Sequence, residues 1–266
     1  MINGKPFFNR SRLLLGDDMM VRLDSARVII FGIGGVGSWC AEALVRTGIG
    51  HITIVDSDRV CITNVNRQMM ATSKTIGMVK VQALKERLQE INPDVEIEAI
   101  QAIYSEETAK RFDLDSYDYV IDAIDSLKDK ATLIINATSS KAKFFSSMGA
   151  ALKLDPTKVK VTEFWKVRGC PLARALRQKF KRNKVYPAHK FLCVYSEELL
   201  QNKGKESSCG TERCVCPKSE KAPGDQSLSN HEWCSSKAQI NGSLMHITSI
   251  FGLTLSGLVI KDLFNR

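Results

Sequence analysis

A glycine-rich turn between a buried strand and a helix is the feature of the sequence that most limits its possible folds. Residues 26–32, ARVIIFG, have the continuous apolar and β-branched composition of a strand that is buried on both faces. The motif GIGGVG, which contains Gly32, Gly34, Gly35 and Gly37, follows directly and opens a helix-patterned segment. Bare glycines let a backbone approach a phosphate, and the N-terminus of a helix favours an anion. The arrangement predicts a phosphate-binding turn in a parallel α/β fold.

The first half of the chain alternates between strand and helix patterns. The predicted strands after the first are HITIVD, VEIEAI, YDYVIDA and AKFFSSM. The predicted helices are GVGSWCAEALVRTGIG, GMVKVQALKERLQEINP and SLKDKATLIINATSSK. This alternation predicts an α/β, Rossmann-like fold with a mostly parallel sheet and helices on both faces. We assign residues 1–150 to this first domain.

The pattern changes after residue 150. The strands KVKVTEFW and KFLCVYS flank a basic helix, PLARALRQKFKRN, that begins at Pro171. Residues 201–236 are rich in Gly, Ser, Pro, Lys and Cys, and this composition predicts one long loop. The apolar segment LMHITSIFGLTLSGLVI is short for a membrane span and contains His246, so we expect a buried amphipathic helix and no stable membrane span. Residues 151–266 are therefore expected to form a C-terminal α+β extension.

The net charge of +9 is concentrated in one segment of the chain. Between Lys158 and Lys190 there are eleven Lys or Arg residues and one acid, Glu163, so this segment carries +10 and the rest of the chain −1. Such a concentration of charge predicts a polyanionic partner for this segment. No signal peptide opens the sequence, so we expect its eight cysteines to be reduced and the protein to be cytoplasmic.

The basic helix also has an apolar side. Leu172, Leu176 and Phe180 recur at helical spacing, and we expect this stripe to anchor the helix to the sheet. The cations would then face solvent, where phosphates relieve their mutual repulsion. We predict that the following residues bind nucleic acid: Arg174, Arg177, Lys181, Arg182 and Lys184.

A group of polar residues follows the second predicted strand. Asp56 lies nineteen residues after Gly37, which is the spacing of a ribose-binding carboxylate, so NAD binding is the first interpretation. Arg67 and Lys80 come shortly afterwards, and two cations suit a triphosphate with a leaving pyrophosphate better than a nicotinamide pocket. Asp125, at the end of the fourth strand, is placed to hold Mg²⁺ or to cap the next helix, and the two roles are compatible.

Four motifs together, GIGGVG, DSDRVCITNVNRQ, GMVKV and AIDS, resemble the E1-like adenylating superfamily. This superfamily includes the activators of the molybdopterin and thiamine sulfur carriers and the ubiquitin-activating enzymes, which bind Mg-ATP and adenylate a carboxylate. The resemblance implies that residues 1–150 form an ATP-binding adenylating domain, with Arg67, Lys80 and Arg10 as catalytic residues and Asp125 as the Mg²⁺ ligand. It implies these ATP-binding residues: Gly32, Gly34, Gly35, Gly37, Asp56, Asp58, Asn64, Arg67, Gln68, Lys80 and Asp125. One departure is Ser126, where many relatives have Asn.

The second half of the chain resembles one branch of this superfamily, the tRNA threonylcarbamoyladenosine dehydratases. The resemblance rests on CPLARALRQKFKR, on the strand after it and on a Cys-Ser pair before the last helix. It implies that ATP activates the threonyl carboxylate of a modified adenosine in tRNA, and that an internal nitrogen then closes a ring with loss of AMP. It also implies that residues 151–266 form a tRNA-binding lobe, and that Arg10 reaches the ATP of the partner in a homodimer. Arg12 is the rival residue for this role, and a plain surface arginine is the other interpretation of Arg10.

Two other functions remain open from the sequence. One is an adenylyltransferase that activates a ubiquitin-like sulfur-carrier protein, with a carrier or sulfur-relay protein as its partner. Its known representatives usually have two C-x-x-C pairs for structural zinc, which this chain lacks. The other is an NAD-binding regulatory module, for which Arg67 and Lys80 would be incidental.

Four cysteines are concentrated in the predicted long loop, and they allow two interpretations. Four thiols are enough to hold Zn²⁺, but the irregular spacing is equally compatible with plain reduced cysteines. These residues are Cys209, Cys214, Cys216 and Cys234.

Overall fold

A single seven-stranded sheet organises the part of the chain that the computed structural model describes, residues 5–204 and 241–266. The strands are β1 (Arg27–Phe31), β2 (His51–Val55), β3 (Glu96–Ile100), β4 (Tyr119–Asp122), β5 (Lys143–Ser147), β6 (Val159–Glu163) and β7 (Leu192–Ser196). Their order is β3-β2-β1-β4-β5-β7-β6, and all neighbours are parallel except β6, which pairs antiparallel with β7. The predicted Rossmann-like α/β fold is confirmed.

Helices cover both faces of this sheet. They are α1 (Asn9–Leu15), α2 (Asp17–Ser25), α3 (Gly37–Thr47), α4 (Lys80–Ile91), α5 (Leu127–Ser139), α6 (Pro171–Asn183) and α7 (Met245–Phe264). Buried residues of α2, α3, α4 and α7 form one hydrophobic cluster with one side of the sheet. Buried residues of α5 and α6 form a second cluster on the opposite side. The parallel strands end at a common edge, which we call the carboxyl edge.

The segment after residue 150 continues the same sheet. Strands β6 and β7 extend it beyond β5, and α7 returns to pack against α3 in the first half of the chain. Gly252 allows this close approach, because a Cβ atom at this position would collide with the carbonyl oxygen of Val36. The described residues before and after residue 150 therefore share one core, and the division of functions between 1–150 and 151–266 stays a prediction.

The last helix, α7, is apolar enough and long enough to cross a membrane when judged by length and composition alone. Half of its most apolar window is nevertheless buried inside the protein, and Ile247, Phe251 and Leu255 are fully buried. Its outer face retains Leu253, which is 47% exposed, so the helix is less amphipathic than the sequence pattern predicts. Its packing is that of a core helix.

Candidate nucleotide site at the carboxyl edge

The glycine-rich turn connects β1 to α3, as the sequence predicts. Gly32 has a φ of +81°, and a Cβ atom there would lie 2.8 Å from the carbonyl oxygen of Ala123. A Cβ atom at Gly37 would collide with the carbonyl oxygen of Gly32. These two glycines are therefore needed for the turn itself, because any side chain would push its backbone apart. Gly34 and Gly35 are partly exposed and leave the backbone of the turn accessible to a ligand.

Asp56 lies directly after β2 and faces this turn. One oxygen of its carboxylate accepts a hydrogen bond from the backbone N–H of Ile33 at 2.9 Å. The other oxygen accepts one from the backbone N–H of Asp58, also at 2.9 Å. A carboxylate has about four lone-pair sites, so these two bonds fix its position and leave acceptor capacity for a hydroxyl group. The role of Asp56 as the ribose-binding carboxylate stays a prediction.

Lys80 begins α4 and is almost completely buried at the same edge. Its Nζ donates to Asp58 Oδ2 at 2.6 Å, and the two side chains are 6% and 30% exposed. Burial by itself would lower the pKa of Lys80, but the charges of Asp58, Asp56 and Asp125 outweigh it and raise that pKa above its ordinary value. The ammonium group is therefore held as a cation among three carboxylates. Asp58, which we predicted as an ATP ligand, is the direct partner of Lys80.

The loop between β2 and α4 holds Arg67 in place. Its Nη1 donates to the carbonyl oxygen of Thr63 at 2.8 Å and to Asn66 Oδ1 at 2.9 Å. Its own carbonyl oxygen accepts a hydrogen bond from Trp39 Nε1 at 3.0 Å. Burial lowers the pKa of Arg67 and the charge of Asp125 opposes that shift, but a guanidinium group stays protonated at neutral pH. The arginine is therefore a fixed cation close to Asp125.

Asn64 and Gln68 lie in the same loop and are both buried. Asn64 Oδ1 accepts a hydrogen bond from the backbone N–H of Cys61 at 2.9 Å and so shapes the loop. The side chain of Gln68 lies beside Gly34, since a Cβ atom at that glycine would be 3.6 Å from Gln68 Nε2. Gln68 Oε1 is buried and has no hydrogen-bond partner within the described residues. A buried acceptor without a partner is costly, and a donor group of a bound nucleotide would satisfy it.

Asp125 is exposed at the end of the β4–α5 connection. The N-cap of α5 is Ser126, whose side chain accepts from the backbone N–H of Asp129 at 3.5 Å. Our alternative interpretation, in which Asp125 caps this helix, is therefore wrong. The hydroxyl group of Ser126 caps the helix instead. The carboxylate of Asp125 interacts electrostatically with both Arg67 and Lys80.

A buried ion pair that sequence analysis missed lies behind this loop. Lys130 Nζ is 2.8 Å from Asp122 Oδ2, and both side chains are 0% exposed. Lys130 also donates to the carbonyl oxygen of Ile124 at 3.0 Å, and Ser146 Oγ donates to Asp122 at 2.7 Å. These bonds fix the turn that carries Asp125. A lysine among the apolar residues of α5 was the available signal, because such a residue needs a buried partner.

The segment before and within α7 also reaches the site, which sequence analysis did not predict. Asn66 Nδ2 donates to the carbonyl oxygen of Ser243 at 2.9 Å. The side chain of Thr248 lies against Gly35, because a Cβ atom added to this glycine would be 3.3 Å from it. The C-terminal helix therefore supports both the glycine turn and the loop that carries Arg67.

The basic helix α6 has the predicted bounds, and its cations are not equivalent. Arg174, Lys181 and Arg182 are exposed, and so is Lys184, which follows the helix. Arg177 is half-buried, because its Nη1 donates to the carbonyl oxygen of Phe164 at 3.1 Å and its guanidinium lies over that ring at 5.8 Å. The buried stripe of α6 consists of Ala173, Leu176 and Phe180, whereas Leu172, which we expected in it, is only half-buried.

Arg10 lies on α1. It is exposed, and α1 buries none of its residues within the described chain. No group of three or more His, Cys, Asp or Glu residues in the described part of the chain is arranged to hold a metal ion. The four cysteines that we considered for Zn²⁺, Cys209, Cys214, Cys216 and Cys234, lie outside the described residues.

Comparisons of sequence and of structure with known proteins identify the same family. The model of the ThiF family matches residues 8–262. The tRNA threonylcarbamoyladenosine dehydratase of Bacillus subtilis is 32% identical over 256 residues, which cover 96% of this chain and 94% of the relative. The crystal structure of the Escherichia coli tRNA N6-threonylcarbamoyladenosine dehydratase in complex with ATP has a TM-score of 0.78 and 30% identity, and covers 97% of this chain and 93% of that one. The Escherichia coli molybdopterin-synthase adenylyltransferase is 29% identical over 178 residues, or 66% of this chain.

The family agrees with the geometry of the site. ThiF is the family of the sulfur-carrier activators to which the four sequence motifs are similar. The matched residues include the glycine turn, the Arg67 loop, Lys80 and α7 up to Asp262. Two of the similar proteins are dehydratases that match over nearly their full length. The chain therefore belongs to the ThiF family of E1-like proteins, together with the tRNA threonylcarbamoyladenosine dehydratases.

Proposed function

We propose that this protein is an ATP-dependent tRNA threonylcarbamoyladenosine dehydratase. The observation that carries the proposal is the cluster at the carboxyl edge, where Lys80 and Arg67 lie among carboxylates beside an accessible glycine turn. Similarity over almost the whole chain to dehydratases, one of them in complex with ATP, supports this assignment. The family argues against the NAD-binding regulatory module.

The residues of the site divide the work of holding ATP. The backbone of the glycine turn approaches the phosphates at the N-terminus of α3, which favours an anion. Asp56, fixed by two backbone N–H groups, accepts from the ribose, and a donor on the nucleoside satisfies Gln68 Oε1. Asn64 lies in the same loop and supplies its amide to the phosphates.

The first chemical step is adenylation of the substrate carboxylate. A carboxylate oxygen attacks the α-phosphorus of ATP, a new P–O bond forms, and the bond to pyrophosphate breaks. Lys80 and Arg67 stabilise the negative charge that develops on the phosphate oxygens and on the leaving pyrophosphate. Because Lys80 is already fixed by Asp58, little reorganisation is needed as this charge develops.

The second step closes the ring. The carboxylate has become a mixed anhydride with AMP, so its carbonyl carbon is now electrophilic. An internal nitrogen of the threonylcarbamoyl group attacks this carbon and loses a proton, and the C–O bond to AMP breaks. The net change in the nucleoside is the loss of water, while ATP becomes AMP and pyrophosphate.

Asp125 is the residue suited to Mg²⁺. Mg²⁺ usually takes one or two protein carboxylates and completes its shell with phosphate oxygens and water. An exposed carboxylate near Arg67 and Lys80 fits this requirement without a preformed cluster of ligands. When bound, the ion would neutralise phosphate charge, which is the same electrostatic task that the two cations perform.

A homodimer with Arg10 acting in trans is part of the proposal. Arg10 lies on α1, where Leu13 and Leu14 are 78% and 82% exposed. Neighbouring exposed leucines on a helix with no buried residue are typical of a surface that packs on another subunit. We expect an isologous interface through this surface, with Arg10 of each subunit acting on the ATP of its partner.

The substrate tRNA would lie along the outer face of α6, with residues 151–266 as the tRNA-binding lobe. Arg174, Lys181, Arg182 and Lys184 are exposed there and have no ion-pair partner in the part of the chain that is described. Such cations are worth little to the fold and are available to phosphates. We expect the protein to act in the cytoplasm, where tRNA is modified.

Mass spectrometry of tRNA nucleosides tests this function directly. Incubation of threonylcarbamoyladenosine-containing tRNA with ATP and Mg²⁺ should convert the nucleoside to a product lighter by one water, with AMP formed in equal amount. The matched control contains NAD in place of ATP and should give no product. AMP formation without any change in the tRNA would overturn the proposal.

The alternative within the family is adenylation of a sulfur-carrier protein. The similarity to a molybdopterin-synthase adenylyltransferase supports it, although it covers a smaller share of the chain. Exchange of labelled pyrophosphate into ATP in the presence of a carrier protein ending in Gly-Gly, with no tRNA, would identify this activity. A sulfur-relay partner is expected only in that case.

A further inference from the structure

Two exposed aromatic side chains lie among cations at the edge of the sheet opposite the nucleotide site. Trp165 follows β6 in a short helical turn, Phe164–Lys166, and Tyr186 follows α6. They are 38% and 53% exposed, and within residues 5–204 and 241–266 they are the exposed members among the tryptophans and tyrosines. Their ring centroids are 6.3 Å apart and their planes are inclined by 43°, so the two rings form one open surface.

This surface is held rigidly from below. Trp165 packs edge-on against Phe164 at 5.2 Å, and Phe164 stacks on Phe191 at 5.0 Å. Phe164 itself is fully buried, and Arg177 donates to its carbonyl oxygen. Trp165 is therefore presented to solvent by a packed aromatic core, and a ligand that stacks on it would lose little conformational freedom of the protein.

Cations surround the two rings along the chain. Lys166 is adjacent to Trp165, and Lys184 lies two residues before Tyr186. Arg182, four residues before Tyr186, adds to the positive charge, and all three cations are exposed without an ion-pair partner among the described residues. Aromatic rings interleaved with free cations complement a strand that offers flat bases and phosphates in alternation.

The aromatic surface lies far from the candidate nucleotide site at the carboxyl edge. Helix α6 starts near the carboxyl edge. Its N-cap, Cys170, lies beside Gly149, which follows the end of β5: a Cβ atom at Gly149 would be 3.9 Å from the Sγ of Cys170. Thirteen residues of helix then carry the chain about 20 Å towards the opposite edge, where Tyr186 follows. A base that stacks here cannot be the nucleotide that reacts at the carboxyl edge.

We propose that Trp165 and Tyr186 form a stacking surface for an unpaired base of the substrate tRNA other than the reacting adenosine. The assignment rests on the proposed function for the identity of the RNA. The surface holds the RNA through base planes and not through base edges, so it selects unpaired nucleotides and not a particular sequence. It contributes to substrate binding and leaves the chemical step unchanged, so its loss raises KM and preserves kcat.

A comparison of two RNAs tests this role. One is an RNA stem-loop with unpaired loop bases, and the other is a blunt duplex of equal length. Fluorescence anisotropy should show that wild-type protein prefers the stem-loop, and that Trp165→Ala with Tyr186→Ala weakens stem-loop binding about tenfold or more while duplex binding stays unchanged. The matched control, Trp165→Phe with Tyr186→Phe, keeps two rings and should keep the preference.

Three outcomes would overturn the stacking surface. They are unchanged stem-loop affinity in the alanine variant, an equal loss for stem-loop and duplex, and a change in oligomeric state by light scattering, which would make this a subunit interface. If the double variant does not fold, as judged by its ATP-induced thermal shift, Tyr186→Ala alone gives the same test, because this residue is 53% exposed outside a helix or strand.

Failure of the dehydratase function has a different signature. Nucleoside mass spectrometry on the same wild-type preparation reports on catalysis alone. A stem-loop preference that depends on the two rings, without conversion of the nucleoside, would keep the stacking surface and overturn the dehydratase.

Discussion

The carboxyl edge of the sheet and the outer face of α6 both carry cations, but they hold them in opposite ways. At the carboxyl edge, Lys80 is 6% exposed and bound to Asp58, and Lys130 is fully buried and bound to Asp122. On α6, cations such as Lys181 and Lys184 are exposed and without an ion-pair partner among the described residues. Buried, paired cations have fixed positions and suit a reaction, whereas free cations adapt to the changing positions of phosphates along a polymer.

The largest expected effect is on stability, and it tests whether the carboxyl edge depends on buried pairs. Lys130→Met should lower the free energy of unfolding by about 3–5 kcal/mol, because Asp122 would stay buried without a counter-charge. Urea denaturation measures this loss. Lys128→Met, on the exposed side of the same helix, is the matched control and should change stability by less than about 0.5 kcal/mol. Equal stabilities for the two variants would show that the buried pair does not hold this edge together.

The next effect concerns catalysis at the same edge. Lys80→Ala should reduce AMP formation by at least about 10²–10³-fold, because the developing phosphate charge loses a fixed cation. Arg67→Ala should act in the same direction, and both variants should remain folded by circular dichroism. Lys74→Ala, an exposed lysine in the same connection, serves as control and should keep normal activity. Near-normal AMP release from Lys80→Ala would remove the phosphate role from this residue.

A third measurement asks whether the carboxyl edge is complete within one subunit. Arg10→Ala and Lys80→Ala proteins should each be inactive in AMP formation, while their mixture should recover about a quarter of the wild-type sites after subunit exchange. The reason is that one site in each mixed dimer would combine an intact Lys80 with an intact Arg10. A mixture of Arg12→Ala and Lys80→Ala proteins is the control, because Arg12 is another arginine on the same helix. Absence of recovery after confirmed exchange would end the trans assignment.

The smallest effect belongs to α6, and it tests whether its free cations contact phosphates. Replacing Arg174, Lys181 and Lys184 by Gln should flatten the salt dependence of tRNA binding by about two units of slope, since fewer counterions are released. Titrations of tRNA at several salt concentrations give this slope. Arg177→Gln should leave the slope unchanged, because this side chain is bound to the carbonyl of Phe164, and ATP binding should be the same in all variants. An unaltered slope in the triple variant would place the tRNA elsewhere.

The sequence was sufficient for features that depend on neighbouring residues. The glycine turn, Asp56 and Lys80 lie within 49 residues of one another, and each follows a strand or opens a helix, so a parallel sheet places them together. The bounds of α6 were predicted for the same reason, because Pro171 marks its start and the apolar spacing marks its extent. The local sequence patterns of turns and helix starts were therefore enough to predict that the glycine turn, Asp56 and Lys80 lie together.

Features that depend on distant contacts were not predicted. The pairing of Lys130 with Asp122 needs the three-dimensional path of the β4–α5 turn, and the bond from Asn66 to Ser243 joins residues that are far apart in the chain. The different state of Arg177 depends on the carbonyl of Phe164, which periodicity along one helix cannot reveal. Similarly, the extension of the first sheet by β6 and β7 depends on pairing between distant strands, and the functional division at residue 150 stays a prediction.

The packing of α7 has a consequence for the time at which the protein becomes competent. Thr248 supports the glycine turn and Ser243 binds the Arg67 loop, yet both residues are translated long after the strands of the first half. A nascent chain can pair β1 with β2 and β4 on the ribosome while its nucleotide pocket still lacks one wall. Nucleotide capture would therefore begin only after α7 has left the exit tunnel, so an interrupted translation product would not sequester ATP.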